Sequence, residues 1–133
     1  VVRDGVLQGY FLGCYSARKL GMRSTGSAGG NHNLVVRSIG ADFRGMLKQL
    51  HRGLLVTELL GHGINLVTGD YSQGAAGYWV ENGAIAYPVE EITIAGNLKA
   101  MLAGIVAVGS DVVVRGSRRC GSILIEQMTI AGD

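Results

Sequence analysis

The residues able to do chemistry in this chain are few and scattered. His32, His51 and His62 have no metal spacing: there is no His-Glu-x-x-His and no His pair one helical turn apart. His51 falls at a predicted helix end, where the dipole favours a cation and a structural role suffices. Ser72 stands among glycines in Gly69-Asp70-Tyr71-Ser72-Gln73-Gly74, but the nucleophile-elbow pattern G-x-S-x-G is absent and no His follows. A triad would have to draw on His32, His51 or His62. Glu81, Glu90 and Glu91 bring carboxylates near one hairpin, yet glycosidase chemistry depends on a separation in space that spacing in sequence does not supply. Cys120-Gly121 follows Arg115, Arg118 and Arg119, a basic run able to lower a thiol pKa, but an inert buried thiol is the expected state. The arginines themselves read as a solvated loop rather than an anion site. The loop Met22 to Asn33 could cradle an anion or a peptide backbone through its amides, but it lacks the Lys and the strand-helix context of a phosphate loop. The residues alone therefore give no self-sufficient catalytic constellation.

The elements that would position these groups follow from composition and periodicity. With 133 residues, 47% hydrophobic and 17% charged, the chain is expected to form one globular domain. Its 22 glycines and single proline favour short strands joined by turns. A net charge of +2 without a basic, aromatic-laced stripe argues against nucleic acid as a direct partner. Apolar runs are too short to span a bilayer, and two widely spaced cysteines, Cys14 and Cys120, fit free thiols in a cytoplasmic protein better than a disulfide. A chain that starts on a strand-like Val1-Val2 without Met is expected to be a piece of something longer.

The central expectation is a hairpin over Gly69 to Glu91. Tyr78 and Val80 alternate with Trp79 and Glu81, Asn82-Gly83 supplies a type I′ turn, and Ala84 to Val89 returns, with Pro88 confined to an edge or an exit. A second hairpin is expected where Val1–Arg3 and Val6–Leu12 flank Asp4-Gly5. Ser16 is expected to cap a turn, Ala17 to Leu20, ended by Gly21. Two helices are predicted, Asp42–Arg52 with the stripe Phe43, Met46, Leu47 and Leu50, and Asn97–Val108 with Leu98, Met101, Leu102 and Ile105. Further strands are expected over Asn33–Ile39, Leu54–Leu60, Glu91–Ala95, Val112–Val114 and Ser122–Ile130, with Ile64–Val67 leading into the hairpin. The predicted class is α+β: a mainly antiparallel sheet with two core-packed helices.

Several stretches together resemble one family. GVLQGYFLGCYSARKLGM, STGSAGGNHNL, GLLVTELLGHGINLVTGDYSQGAAGYWVENG and YPVEEITIAGN, in this order and ending at MTIAGD, resemble the C-terminal domain of the TldD/PmbA family. Its members are described as modulators of DNA gyrase or as peptide-processing metallopeptidases. The resemblance implies a zinc-bearing TldD branch, with a His-Glu-x-x-x-His helix upstream and a Cys in a Cys-Gly step. It also implies a PmbA (TldE) branch that lacks that helix and pairs with TldD. The wording SARKLG and VTGDYSQGAAGYWVENG is similar to the PmbA branch. The chain is thus expected to be a domain of the non-catalytic subunit, without catalytic residues, metal ligands or cofactor of its own. Its expected partners are a zinc-carrying TldD-like subunit and a peptide, with a homodimer as another assembly. Two alternatives stay open: a zinc-bearing domain with Cys120 as a ligand, and a non-enzymatic peptide-binding scaffold. If main chain meets main chain at the glycine-rich stretches, the contact residues are expected to be Asp70, Tyr71, Ser72, Gly74 and Gly77.

Overall fold

The computed structural model describes residues 1–4, 6–27 and 30–132. Gly5 of the expected Asp4-Gly5 turn and Ala28-Gly29 of the expected Met22 to Asn33 loop lie outside the described residues. The chain forms two compact units, residues 1–34 with 116–118, and residues 35–115 with 119–133.

In the first unit β1 (Val2–Arg3) pairs antiparallel with β2 (Val6–Leu7) through Val2↔Leu7 and Arg3↔Val6. Asp4 takes φ +52° at the turn. The second arm, expected as far as Leu12, stops at Leu7; Leu12 is instead tied to Thr25, its N–H donating to Oγ1 at 2.9 Å. Helix α1 (Cys14–Lys19) starts earlier than expected, because Gly13 adopts the extended cap conformation. Ser16 is therefore not the cap but sits inside the first turn, where its Oγ accepts from the Gly13 N–H at 3.0 Å.

The second unit is built on a four-stranded antiparallel sheet, ordered β11-β6-β5-β4. Its members are β4 (Gly53–Leu60), β5 (Asp70–Glu81), β6 (Ala84–Asn97) and β11 (Thr129–Ala131). Between β5 and β6, Asn82 (φ +53°) and Gly83 (φ +73°) take the two positive φ angles that a type I′ turn demands. The Gly83 N–H donates to the His51 carbonyl at 2.8 Å, which pins the turn against the end of the preceding helix.

The return arm and the strand expected after Glu91 are one strand. A bulge joins them: Ala75 pairs with Ile92 and Gly77 with Val89, so Glu90 and Glu91 together oppose Ala76. Glu91 takes φ +54° there, and the strand bends without ending. Pro88 opposes Tyr78, and β11 pairs only with Thr93 to Ala95, so β6 is an edge at the proline.

Helix α2 (Phe43–Leu50) is capped by the Asp42 carboxylate, which accepts from the Gly45 N–H at 2.9 Å. It ends before the expected Arg52 because His51 swings to φ +56°. Helix α3 (Leu98–Ala103) is capped by Asn97, whose side chain accepts from the Lys99 N–H. It stops at Gly104, far short of Val108, and Leu102 of its expected core stripe is exposed. The β-branched run that follows forms β7 (Ile105–Val108), which pairs antiparallel with β10 (Ile123–Ile125). The long strand expected over Ser122–Ile130 is thus two, β10 and β11, serving different sheets. The expected strand at 33–39 shrinks to β3 (Leu34–Val35), since the Ile39 N–H donates to the Val108 carbonyl instead. Short strands β8 (Val113–Arg115) and β9 (Arg118–Cys120) complete the elements.

The core is Tyr71, Ala75, Ile92 and Ile94 on one face of the sheet, with Leu54, Val56, Leu98 and Met128 packed against it. The class is α+β and mainly antiparallel, with three short helices rather than two long ones. Among the described residues no helix is long and apolar enough to cross a membrane.

Candidate functional site

Strand β4 is the end strand of its sheet, so one side of its backbone faces no other strand among the described residues. Its sequence, GLLVTELL, carries one charge and no proline, so ahead of the bulge at Thr57 little in it opposes pairing with another extended chain. Beside it lies a groove of about 840 Å³ within the second unit. One wall is the apolar stripe of α2, Phe43, Met46, Leu47 and Leu50, which the 3.6-residue period sets on one side of the helix. The floor runs across the face of the sheet, from Leu54 and Val56 of β4 to Tyr71 of β5 and Ile94 of β6, and the far wall is residues 122–128 around β10. Four charged side chains line it: Arg52, Glu58, Arg115 and Glu126. The volume falls within the 300–1,000 Å³ range typical of ligand sites, and the lining is mainly apolar with few polar groups.

The five residues expected to contact a peptide all lie on β5, an inner strand whose backbone pairs on both sides. Tyr71 lines the groove and is buried, and burial pushes its phenol pKa up. Asp70 is exposed, and its carboxylate accepts from the Thr68 hydroxyl at 2.6 Å. Ser72 turns to the opposite side from Tyr71, and its N–H donates to the Gly63 carbonyl at 2.7 Å. Gly74 and Gly77 meet the neighbouring strand: a Cβ at Gly77 would stand 1.9 Å from the Leu55 carbonyl oxygen. Sequence reasoning missed the rest of the groove. The α2 stripe is visible as a helical period and Met46 does lie buried as expected, but nothing in GLLVTELL announces that one of the strand's sides stays unpaired.

Around Cys120 the electrostatics agree with the expected inert thiol. The basic run does not prevail: burial and then the negative charge of Asp111 push the Cys120 thiol up. Asp111 itself is held below the usual aspartate range, chiefly by the Ser122 hydroxyl donating at 2.6 Å, with the Ser122 N–H adding a second bond at 3.1 Å. Both cysteines are free thiols. Among the described residues no three His, Cys, Asp or Glu side chains converge to hold a metal ion. Beside Cys120 both Asp111 oxygens accept from Ser122, and among the described residues no histidine joins them.

The comparisons point the same way as the fold. Residues 1–132 match the model of the PmbA/TldA metallopeptidase C-terminal domain. The chain is 56% identical over 132 residues to Metalloprotease PmbA of Escherichia coli O157:H7, covering 99% of this chain and 29% of that protein. It is 51% identical over 134 residues to a Metalloprotease PmbA homolog of Haemophilus influenzae, covering 100% of this chain and 30% of that protein. Two crystal structures described as candidate modulators of DNA gyrase share the fold. The one from Bacteroides thetaiotaomicron has TM-score 0.89 and 34% identity, over 98% of this chain and 30% of its own. The one from Thermotoga maritima has TM-score 0.85 and 40% identity, over 98% and 32%. The chain thus spans about 30% of the length of these relatives.

Proposed function

The chain belongs to the PmbA/TldA metallopeptidase C-terminal domain family, and from that premise we propose that it is the peptide-receiving, non-catalytic part of a TldD/PmbA-type metallopeptidase complex. The observation that carries this reading is the unpaired side of β4 beside an apolar groove. An extended peptide added to such an edge gains main-chain hydrogen bonds whatever its sequence, which suits an assembly that degrades or matures unfolded peptides. The donor set around Cys120 supports leaving the metal to a partner: a TldD-like subunit would carry the zinc, with its activated water and base. The free thiols of Cys14 and Cys120 fit assembly in the cytoplasm.

The test is co-expression with a zinc-bearing TldD-like subunit, followed by co-purification, elemental analysis and a peptide-hydrolysis assay. The expected result is a stable pair that hydrolyses unfolded peptide, while the chain alone holds no stoichiometric zinc and cleaves nothing. About one zinc per chain, lost in Cys120→Ala, would overturn the assignment and make Cys120 a ligand. A chain that assembles only with itself would refute the heteromeric partner.

A further inference from the structure

The charges along β4 are not placed at random with respect to its free edge. Arg52 stands just before the strand and Glu58 near its end; both are exposed and both line the groove. The residues between them, Gly53 to Thr57, are uncharged. An extended chain advances about 3.3 Å per residue and the bulge at Thr57 absorbs one residue, so about five steps separate the two charges by roughly 17 Å, the length of a peptide of about five to six residues. The bulge at Thr57 interrupts the β4 ladder, which leaves Gly53 to Val56 as the regular stretch against which a partner strand can register.

Direction follows from charge. A peptide antiparallel to β4 brings its carboxyl end to Arg52 and its amino end to Glu58, whereas a parallel one sets like charges together at both ends. Arg115 and Glu126 are the other two charges in the lining, one of each sign. We propose that the groove binds short extended peptides with free termini, antiparallel to β4, with Arg52 holding the C-terminal carboxylate and Glu58 the N-terminal ammonium. This rests on the peptide-receiving role above and narrows it. The ligand class is the free-ended fragment left by an earlier cleavage, with apolar side chains toward α2, rather than a loop within an intact chain. A reaction that cuts longer polypeptides into such fragments must supply it.

The experiment is calorimetric titration of the full chain with the hexapeptide Thr-Val-Ser-Val-Thr-Leu in free, N-acetylated, C-amidated and doubly blocked forms. C-amidation is expected to weaken binding roughly threefold to tenfold in the unmodified chain and to have no effect in Arg52→Gln. N-acetylation is expected to act likewise through Glu58→Gln, and Arg115→Gln is expected to keep the full sensitivity to amidation. Both test positions are exposed, and thermal melts of the variants confirm that they fold. Equal binding of free and blocked peptides would overturn the proposal while leaving the peptide-receiving role standing. So would sensitivity to amidation that persists in Arg52→Gln or vanishes in Arg115→Gln. No binding of any form would sink both.

Discussion

Gly77→Ala is the sharpest perturbation of the β4–β5 seam on which the groove depends. Gly77 is buried and pairs with Val56 on one side and Val89 on the other. A Cβ added there would lie 1.9 Å from the Leu55 carbonyl oxygen, 2.9 Å from its carbon and 3.1 Å from the Val56 Cα. All three are backbone atoms, so no side-chain rotation relieves the contact. Ordinary contact begins near 3.4 Å, so β4 must retreat by about 1.5 Å, enough to break the ladder bonds beside the clash. Losing two such bonds costs about 2 kcal/mol, and overpacking adds about 1–3 kcal/mol, for a total near 3–5 kcal/mol. That is a large share of a domain's usual stability of roughly 5–15 kcal/mol. Urea unfolding reads the effect as a fall in midpoint at constant slope. Gly74→Ala is the control: its added Cβ would meet the Leu60 Cβ at 3.2 Å, a contact that a small shift relieves, and it should cost under about 1 kcal/mol. If Gly77→Ala proves no more destabilising than Gly74→Ala, the seam is looser than its geometry states and the reasoning fails.

Asp111 should make stability depend on acid. Its carboxyl is held below the ordinary value by Ser122, so the stabilisation is complete above about pH 4 and is lost as pH falls through the lower folded value; Asp111→Asn should flatten that limb of a urea-midpoint profile. Alkylation at pH 7.5 with site-resolved mass spectrometry should label exposed Cys14 well before Cys120, and Asp111→Asn should speed Cys120 by removing a charge that opposes its thiolate. Val80→Ala should cost about 2 kcal/mol by equilibrium unfolding, because Val80 is wholly buried opposite Gly53 and its two methyls leave a void.

The features legible in the sequence were those decided within a few residues. Asn82-Gly83 gave a turn because both positions must take positive φ, and Asp42 and Asn97 gave caps because their side chains reach the first-turn amides. What escaped was decided across the chain. Leu98, Met101, Leu102 and Ile105 keep a helical period past Gly104, yet Ile105 leaves the helix because β10, some twenty residues later, pairs with it. Glu90-Glu91 looks like the boundary of two strands, but Ala76 opposite absorbs both residues as a bulge. The groove escaped for the same reason. Tyr71 was singled out from its own motif, while the α2 stripe, the free side of β4 and the 122–128 wall meet only in the folded sheet.

The Cys120-Gly121 step shows how one motif can carry two separable meanings. A Cβ at Gly121 would stand 1.9 Å from the Gly109 carbonyl oxygen and 3.1 Å from Asp111 Oδ1. Gly109 is equally constrained, since its own Cβ would come within 2.1 Å of that carboxylate oxygen. The Gly109 N–H meanwhile donates to the Ser122 carbonyl at 2.7 Å. The two glycines therefore let the ends of β7 and β10 close over the Asp111–Ser122 pair, and this packing alone requires Gly121. The cysteine is a different matter, because ligation needs a thiolate. Here burial and Asp111 both favour the neutral thiol, and recruiting Asp111 as a second ligand would sacrifice its bonds to Ser122. In this chain the glycine of the step follows from backbone geometry, and the metal chemistry that the step suggests would need groups that the described residues do not bring together.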